Sequence, residues 1–444
     1  MNAATRSRSG PRGGRLLAAL AAGLAAVTAC LLGLTALAPP SAAAAGPAGA
    51  SEFGPGTRAL LTAALTTAMA ADGAPGAIAG VWQGGRSWTA ARGTGDLATG
   101  APMTLADHFR IASNTKAIVA TAVMRLADQG RVHLADPVSD YVAGVPGGQH
   151  ITITELLQHT SGLADYYDQA FQAAVFAHPQ RRWATGTLLA LGYARSPLFP
   201  PGTAWTYSNT GYLLLGQVIQ KVTGEPLGAA LRQLIFAPLG LRATSFPDTS
   251  QLPAPHPHGY VTETPGGALT DITTLSPTIA GAAGAIISTL GDLRTLATAI
   301  GDGALLTPQN QRLRLRTVPI PGAPPYVGYG LGLIVLNDFY GHDGEIPGFI
   351  SAMLASPAHH VTIVVVLNNS TAGGDAALTL AAQLAKIIVP SEPWGNAATT
   401  SAAARRHAPP PHQPAGTAPG RATAAAALSP RPGATRRDPH TVTQ

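Results

Sequence analysis

The spacing of apolar residues changes twice along this chain, and that change constrains the fold more than any single motif. A helical pattern over residues 57–72 is followed by short β-like runs at "AIAGVWQG" and "SWTAARGTGDLAT". From Ser113 to about residue 275 the apolar residues recur every three or four positions, punctuated by Pro and Gly. That stretch includes "TITELLQHTSGL", "TGTLLALGYARS", "TGYLLLGQVIQKVTG" and "PLGAALRQLIFAPLG". After a further helix near 290–300, β-like runs return at "YVGYGLGLIVL", "GFISAMLAS" and "VTIVVVLNN", and "DAALTLAAQLAKIIV" closes as a helix. Strands from both ends with helices between them predict an α/β chain of the α+β type. One sheet is assembled from the two ends, and the insertion over about 113–275 forms a helical lobe.

The two termini have a different composition. Arg6, Arg8, Arg12 and Arg15 precede the 23-residue apolar run "LLAALAAGLAAVTACLLGLTALA", which is followed by "PPSAAAAGPAGA". Residues 1–45 therefore read as an export signal, with an uncleaved N-terminal anchor or lipid attachment at Cys30 ("VTAC") as alternatives. Each places the remainder outside the cytoplasm, secreted or in the cell-wall space. Residues 393–444 are rich in Pro, Ala and Arg without apolar periodicity, and read as a disordered tail. A net charge of +6 divides into +4 in residues 1–45, +5 in residues 396–444 and −3 between them. The expected folded region, 51–392, is thus slightly acidic, and a nucleic-acid partner is excluded as its function. Cys30 is the only cysteine. A chain without its first 45 residues has no thiol for a disulfide, a nucleophile or a thiolate metal site.

No P-loop, H-E-x-x-H or G-x-S-x-G pattern occurs. The "PHPH" at 255–258 and the pair His359-His360 lack carboxylates in ligand spacing, so they read as exposed histidines, with no metal and no cofactor. Ser113 and Lys116 stand out in "FRIASNTKAIVATAVMRLADQG". Positions i and i+3 share a helix face, and a helix N-terminus offers free N–H groups and a positive dipole end. A partly desolvated lysine there can take the serine's proton and make it a nucleophile. The bland alternative is a capping serine beside a snorkelling lysine. Tyr207 and Asn209 in "AWTYSNTGYLLLG" stand at the entry of another helix, and His342 and Gly344 in "YGHDGEIPGFISAML" open a strand. Each alone reads as well as a cap or a turn.

Together, in order, S-x-x-K, then Y-x-N 94 residues on, then H-x-G 135 residues further, resemble the active-site series of penicillin-recognising serine enzymes. The chain resembles the serine β-lactamase and penicillin-binding protein superfamily over roughly 55–390. The Y-x-N and H-x-G versions are similar to those of secreted D-alanyl-D-alanine carboxypeptidases and their class C β-lactamase and esterase cousins. "GAPGAIAGV", "LLQHTSGLADYYD", "AAGAIISTLGDL" and "YGLGL" agree with it. The resemblance implies an antiparallel sheet flanked by helices plus an all-helical lobe, and an acyl-serine intermediate. It implies Ser113 as nucleophile, Lys116 and Tyr207 as the groups that exchange its proton, and His342 on the opposite wall. Asn209 would hold the acyl side chain, and Phe171 would be an aromatic pocket wall. The Ser113 and Glu345 amides would hold the oxyanion, each donor worth about 3–4 kcal/mol. β-Lactams would be covalent acylators, and the substrate a peptidoglycan-type or D-amino-acid-containing small molecule. Membrane contact would come only through an uncleaved N-terminal segment.

The sequence departs from the carboxypeptidases where they bind a substrate carboxylate. H-D-G-E stands in place of H-T-G-T, and "YGLGLIVLND" has Ile334, Val335 or Leu336 where relatives carry an arginine. Asp343 and Glu345 either line the groove or turn outward as a solvated rim. In the groove, one acid about 4 Å from a substrate carboxylate would cost roughly 4 kcal/mol at an effective dielectric of 20. A D-alanyl-D-alanine carboxypeptidase is the first expectation. A D-stereospecific aminopeptidase or endopeptidase, a carboxylesterase and a class C-like β-lactamase are alternatives. An acylated penicillin receptor or wall-binding module is the reading without turnover.

Overall fold

The computed structural model describes residues 51–262 and 267–392. The expected signal segment and C-terminal tail lie outside them. Apolar runs near both ends of this region pair into one sheet. Strands β1 (Gly76–Gln83) and β2 (Arg86–Asp96) form a hairpin. Its turn is Gly84-Gly85, both at positive φ (51° and 84°), which only glycine adopts without cost. The late part supplies β3 (Val327–Tyr329), β4 (Ile334–Leu336), β5 (Phe339–Ile346), β6 (Phe349–Ser356) and β7 (Val361–Leu367). The spatial order is β2-β1-β7-β6-β5-β4-β3 with antiparallel neighbours throughout. Residues 51–52 and 318–319 extend the two edges.

The central strands are buried on both sides because helices cover both faces. Helices α1 (Pro55–Asp72) and α8 (Gly374–Ile388) bury Leu61, Leu65, Leu380 and Leu384 against Ala77, Ala79, Ile350, Ala352, Ile363 and Val365. The other face, with Ile78, Met353, Val364 and Val366, packs on α2 (Asn114–Asp128) and α7 (Leu290–Asp302). The lobe adds α3 (Ile153–Gln158), α4 (Gln169–Ala177), α5 (Thr185–Tyr193) and α6 (Asn209–Thr223). Helix α2 lies between sheet and lobe and is buried without a break from Asn114 to Met124. Its alanines and β-branched residues, not an amphipathic stripe, suit that position.

Three differences from the sequence reading bear on the site. "YVGYGLGLIVL" is two short strands, broken where Gly332 takes φ 77°. The 113–275 stretch is helical only as far as Leu239, and it ends in a hairpin of Tyr260–Thr262 with Leu269–Asp271. His342 and Gly344 do not open a strand but sit inside β5, whose glycines and charges hide its β character. Gly341 is needed there for close approach, because a Cβ would stand 1.9 Å from the Met353 carbonyl oxygen.

Candidate active site

The turn that carries Ser113 is strained. Ala112 holds φ 50°, a conformation that costs a non-glycine residue on the order of 1–3 kcal/mol. Ser113 follows as the N-cap of α2, partly open to solvent where the rest of the turn is buried. Its N–H has no hydrogen-bond partner among the described residues. Two buried side chains hold the turn. Asn114 Nδ2 donates to Ser351 Oγ at 2.9 Å, and Ser351 Oγ donates to the Ile111 carbonyl at 2.9 Å. β5 passes close by, and a Cβ on Gly344 would lie 2.4 Å from Ile111 O and 2.8 Å from Ser113 N. β4 pairs with β5 only over Phe339–Gly341, so the edge from His342 to Ile346 beside Ser113 has no strand partner there.

Lys116 is fully buried. Its Nζ donates to Ser113 Oγ at 2.9 Å, to Asn209 Oδ1 at 2.7 Å and to the Ala283 carbonyl at 2.8 Å. Burial lowers its pKa to about 7, against the opposing pull of Asp165 and then Asp343. It lies over the ring of Tyr207 at 4.7 Å and that of Tyr212 at 5.5 Å. Ser208 caps α6 by accepting from the Gly211 N–H, which sets Tyr207 just before the helix and Asn209 at its first position. Burial raises the Tyr207 pKa well above 10.0, with Ser113 opposing the rise, so the phenol stays protonated.

His342 is buried, and both ring nitrogens are engaged. Nε2 meets Tyr329 Oη at 2.9 Å, and Nδ1 meets the Asp343 carbonyl at 2.6 Å and Asp343 Oδ1 at 3.3 Å. Its ring lies 6.4 Å from that of Tyr207. The register of β5 on β6 places His342 and Gly344 opposite Met353 and Ser351, on the α2 face. Asp343 and Glu345 are opposite Ala352 and Ile350, on the α8 face, so neither side chain projects with His342. Glu345 reaches the surface, and its Oε2 accepts from the Gly374 N–H at 2.8 Å, at the start of α8. Crowding by protein atoms raises its pKa, the Gly374 bond opposes this, and Asp343 adds to it. Phe171, expected as a pocket wall, is only 4% exposed. It packs edge-on to Tyr166, Tyr167 and Trp183 at 5.4, 5.5 and 4.8 Å. Tyr167, half-buried, offers the surface instead.

The sequence reading missed two groups. Asp165 accepts from Asn209 Nδ2 at 2.8 Å. His159, at the C-cap of α3, receives the Ser208 N–H on Nδ1 at 3.1 Å and meets Tyr329 Oη through Nε2 at 3.2 Å, under the Tyr207 ring at 4.4 Å. Both stand in "LLQHTSGLADYYD", a stretch that agrees with the family resemblance but does not itself show their partners. Of the histidines expected to be exposed, His256, His258 and His359 are half-buried and His360 is exposed. His258 is half-buried with Nδ1 2.6 Å from Asp271 Oδ2. His359, without carboxylates near it in sequence, meets Glu392 at 2.5 Å and Asp338 at 4.0 Å, an imidazole–carboxylate cluster remote from Ser113.

The family model described as Beta-lactamase matches residues 61–386. A D-stereospecific amidohydrolase from Streptomyces sp. superposes with a TM-score of 0.68 at 35% identity, covering 76% of this chain and 99% of that one. The D-amino acid amidase of Ochrobactrum anthropi SV3, solved with L-phenylalanine amide, gives 0.67 at 25% identity over 76% and 99%. The putative penicillin-binding protein PbpX of Bacillus subtilis is 29% identical over 262 residues, 59% of this chain. The match spans 62% of that relative's own length.

Proposed function

The chain belongs to the Beta-lactamase family of serine hydrolases, and we propose that within it the protein is a D-stereospecific amidohydrolase or aminopeptidase. It would form an acyl-serine at Ser113 from substrates carrying a free amine. The observation that carries this reading is the set of acidic side chains around Ser113 and Lys116. Asp165, bonded to Asn209, and Asp343, from the α8 face of β5, both act on the charge of Lys116, and the exposed Glu345 follows on the same strand. Arg195 is engaged by Asp168 and the Asp165 carbonyl, and Arg314 is buried on the Ala117 carbonyl. A carboxylate and an ammonium about 8 Å apart attract by roughly 2 kcal/mol at an effective dielectric of 20, and a substrate carboxylate is repelled by as much. The similarity to the Streptomyces amidohydrolase over 99% of its length supports the same choice. It moves the first expectation from a D-Ala-D-Ala carboxypeptidase to an enzyme acting on amines.

The chemistry follows from the proton positions. Neutral Lys116 takes the Ser113 proton as Oγ attacks the amide carbonyl. The oxyanion sits between the N–H groups of Ser113 and Glu345. Tyr207, held protonated, passes a proton to the departing amine and is replenished by Lys116. Water then cleaves the ester with Lys116 again as base. His342 acts on this group through Tyr329 and His159, since neither of its nitrogens is free to face Ser113. The Arg-flanked apolar run over residues 1–45 supports action outside the cytoplasm. The test is a hydrolysis series on D-phenylalanine amide, its L-enantiomer, an acylated peptide ending in D-Ala-D-Ala, a short-chain ester and a cephalosporin. The D-amide should be turned over fastest. Faster cleavage of the acylated D-Ala-D-Ala peptide would overturn the amine reading and leave the acyl-serine standing.

A further inference from the structure

Lys116 has three oxygen neighbours and, as an ammonium, three N–H bonds to give them. A neutral amine has two N–H bonds and one lone pair. The Ala283 carbonyl can only accept. If Asn209 also shows its oxygen, both N–H bonds are used there and the lone pair falls on Ser113 Oγ. If Asn209 instead showed its NH2, that group would donate into the lone pair and the base would be lost. The orientation of one amide therefore decides whether Lys116 can act.

Asp165 fixes that orientation. Its Oδ2 accepts from Asn209 Nδ2 at 2.8 Å, and its Oδ1 accepts from the Tyr167 N–H at 3.0 Å. Both neighbours are donors, which suits the ionised carboxylate although burial raises its pKa. Arg195 Nη1 donates to the Asp165 backbone carbonyl at 3.1 Å and so anchors the residue. We propose that Asp165 is a positioning residue that turns the Asn209 oxygen toward Lys116 and thereby aims the neutral amine's lone pair at Ser113. It also leaves the second Asn209 Nδ2–H free for a substrate carbonyl. This rests on Ser113 and Lys116 acting as described under Proposed function.

The experiment follows acylation by a fluorescent penicillin across pH 5–9 in wild type, Asp165→Asn and Asp165→Glu. The groups facing Lys116 are Ser113, Asp165, Tyr207, Asn209, Tyr212 and the Ala283 carbonyl, with Asp343 acting on its charge from β5 and His159 nearby. Of the two carboxylates, only Asp165 changes. Loss of its charge should move the acid limb down by about one pH unit. Loss of the amide lock should lower the plateau about tenfold or more. Asp165→Glu keeps a charged acceptor and should keep the limb. A lower limb with an unchanged plateau, or a lower plateau with an unmoved limb, overturns the proposal. If Asp165→Asn does not fold, wild-type protein labelled with 15N-asparagine decides. One Asn209 amide proton exchanging far more slowly than a free amide supports the lock, and two fast protons refute it. Wild type that is not acylated at all sinks the acyl-serine reading, and the exchange measurement still tests Asp165.

Discussion

Gly344 offers the sharpest test of how β5 and the Ser113 turn are fitted together. Its φ lies outside the left-handed region, so space and not conformation requires glycine. A Cβ would meet Ile111 O at 2.4 Å, Ser113 N at 2.8 Å and Ala112 Cβ at 3.0 Å, whereas ordinary contact begins near 3.4 Å. Two of the three atoms are backbone. Ile111 O cannot retreat freely, because it accepts from the Asn114 N–H at 3.2 Å and from Ser351 Oγ at 2.9 Å. Relief in Gly344→Ala therefore requires β5 and the turn to part by about 1 Å, which for a reacting group can cost about 100-fold. The displaced atoms include the proposed oxyanion donors, where loss of one costs about 100- to 1,000-fold. Overpacking adds about 1–3 kcal/mol of lost stability. The assay is the second-order acylation constant with a fluorescent penicillin beside a calorimetric melt. Acylation within threefold of wild type would refute the fit, whatever the melt shows.

Four further outcomes follow from the geometry. Ser113→Ala should abolish labelling by the fluorescent penicillin, and labelling retained in that variant would remove the nucleophile. Acylation should fall as pH drops through about 7, since the proposed base Lys116 is neutral only above its lowered pKa, and Lys116→Arg should be inactive throughout pH 5–9. Ser351→Ala removes a bridge between Asn114 and Ile111 and should cost about 1–3 kcal/mol by chemical denaturation, with unchanged stability refuting the bridge. Asp72 ends α1, and burial raises its pKa to about 6. A carboxyl whose folded pKa is raised destabilises the fold once it ionises. Asp72→Asn should therefore raise the melting temperature above pH 6 by an amount that fades toward pH 4, and equal melts at all pH values would refute it.

The parts of this molecule legible in its sequence are those that depend on one element at a time. Val361–Leu367 is apolar on both faces and could only be a covered strand, and the helices after Ser113 and Asn209 announced themselves by period and cap. β5 was obscured because Gly341 and Gly344 serve close backbone approach, which a β-propensity reading counts against a strand. Asp165 and His159 escaped for another reason. Each works through partners more than forty positions away, Asn209 for one and Ser208 and Tyr329 for the other, and no local pattern encodes such a bond. The family pattern did order Ser113, Lys116, Tyr207, Asn209 and His342 along the chain. Which nitrogen of His342 faces what is a tertiary fact, and so is the side of β5 on which Asp343 and Glu345 fall.

The choice of lysine at 116 follows from comparing it with the arginines that share its burial. The chain has only Lys116, Lys221 and Lys386 as lysines among 28 basic residues. Arg110 is buried with Nη2 on the carbonyls of Ser250, Thr273 and Leu275, and Arg314 is buried with Nη2 on that of Ala117. Desolvation lowers both to about 10, so they remain cations at neutral pH and serve as fixed struts. A desolvation effect of the same kind starts at 10.5 for Lys116 and ends at about 7. The lower starting value places the lysine where a proton can be both taken and returned near neutrality. An arginine in the same cage would hold its proton, repel none of the surrounding acceptors and leave Ser113 an ordinary hydroxyl. Burial is thus common to all three cations, and the intrinsic basicity of the side chain separates a structural group from a reactive one.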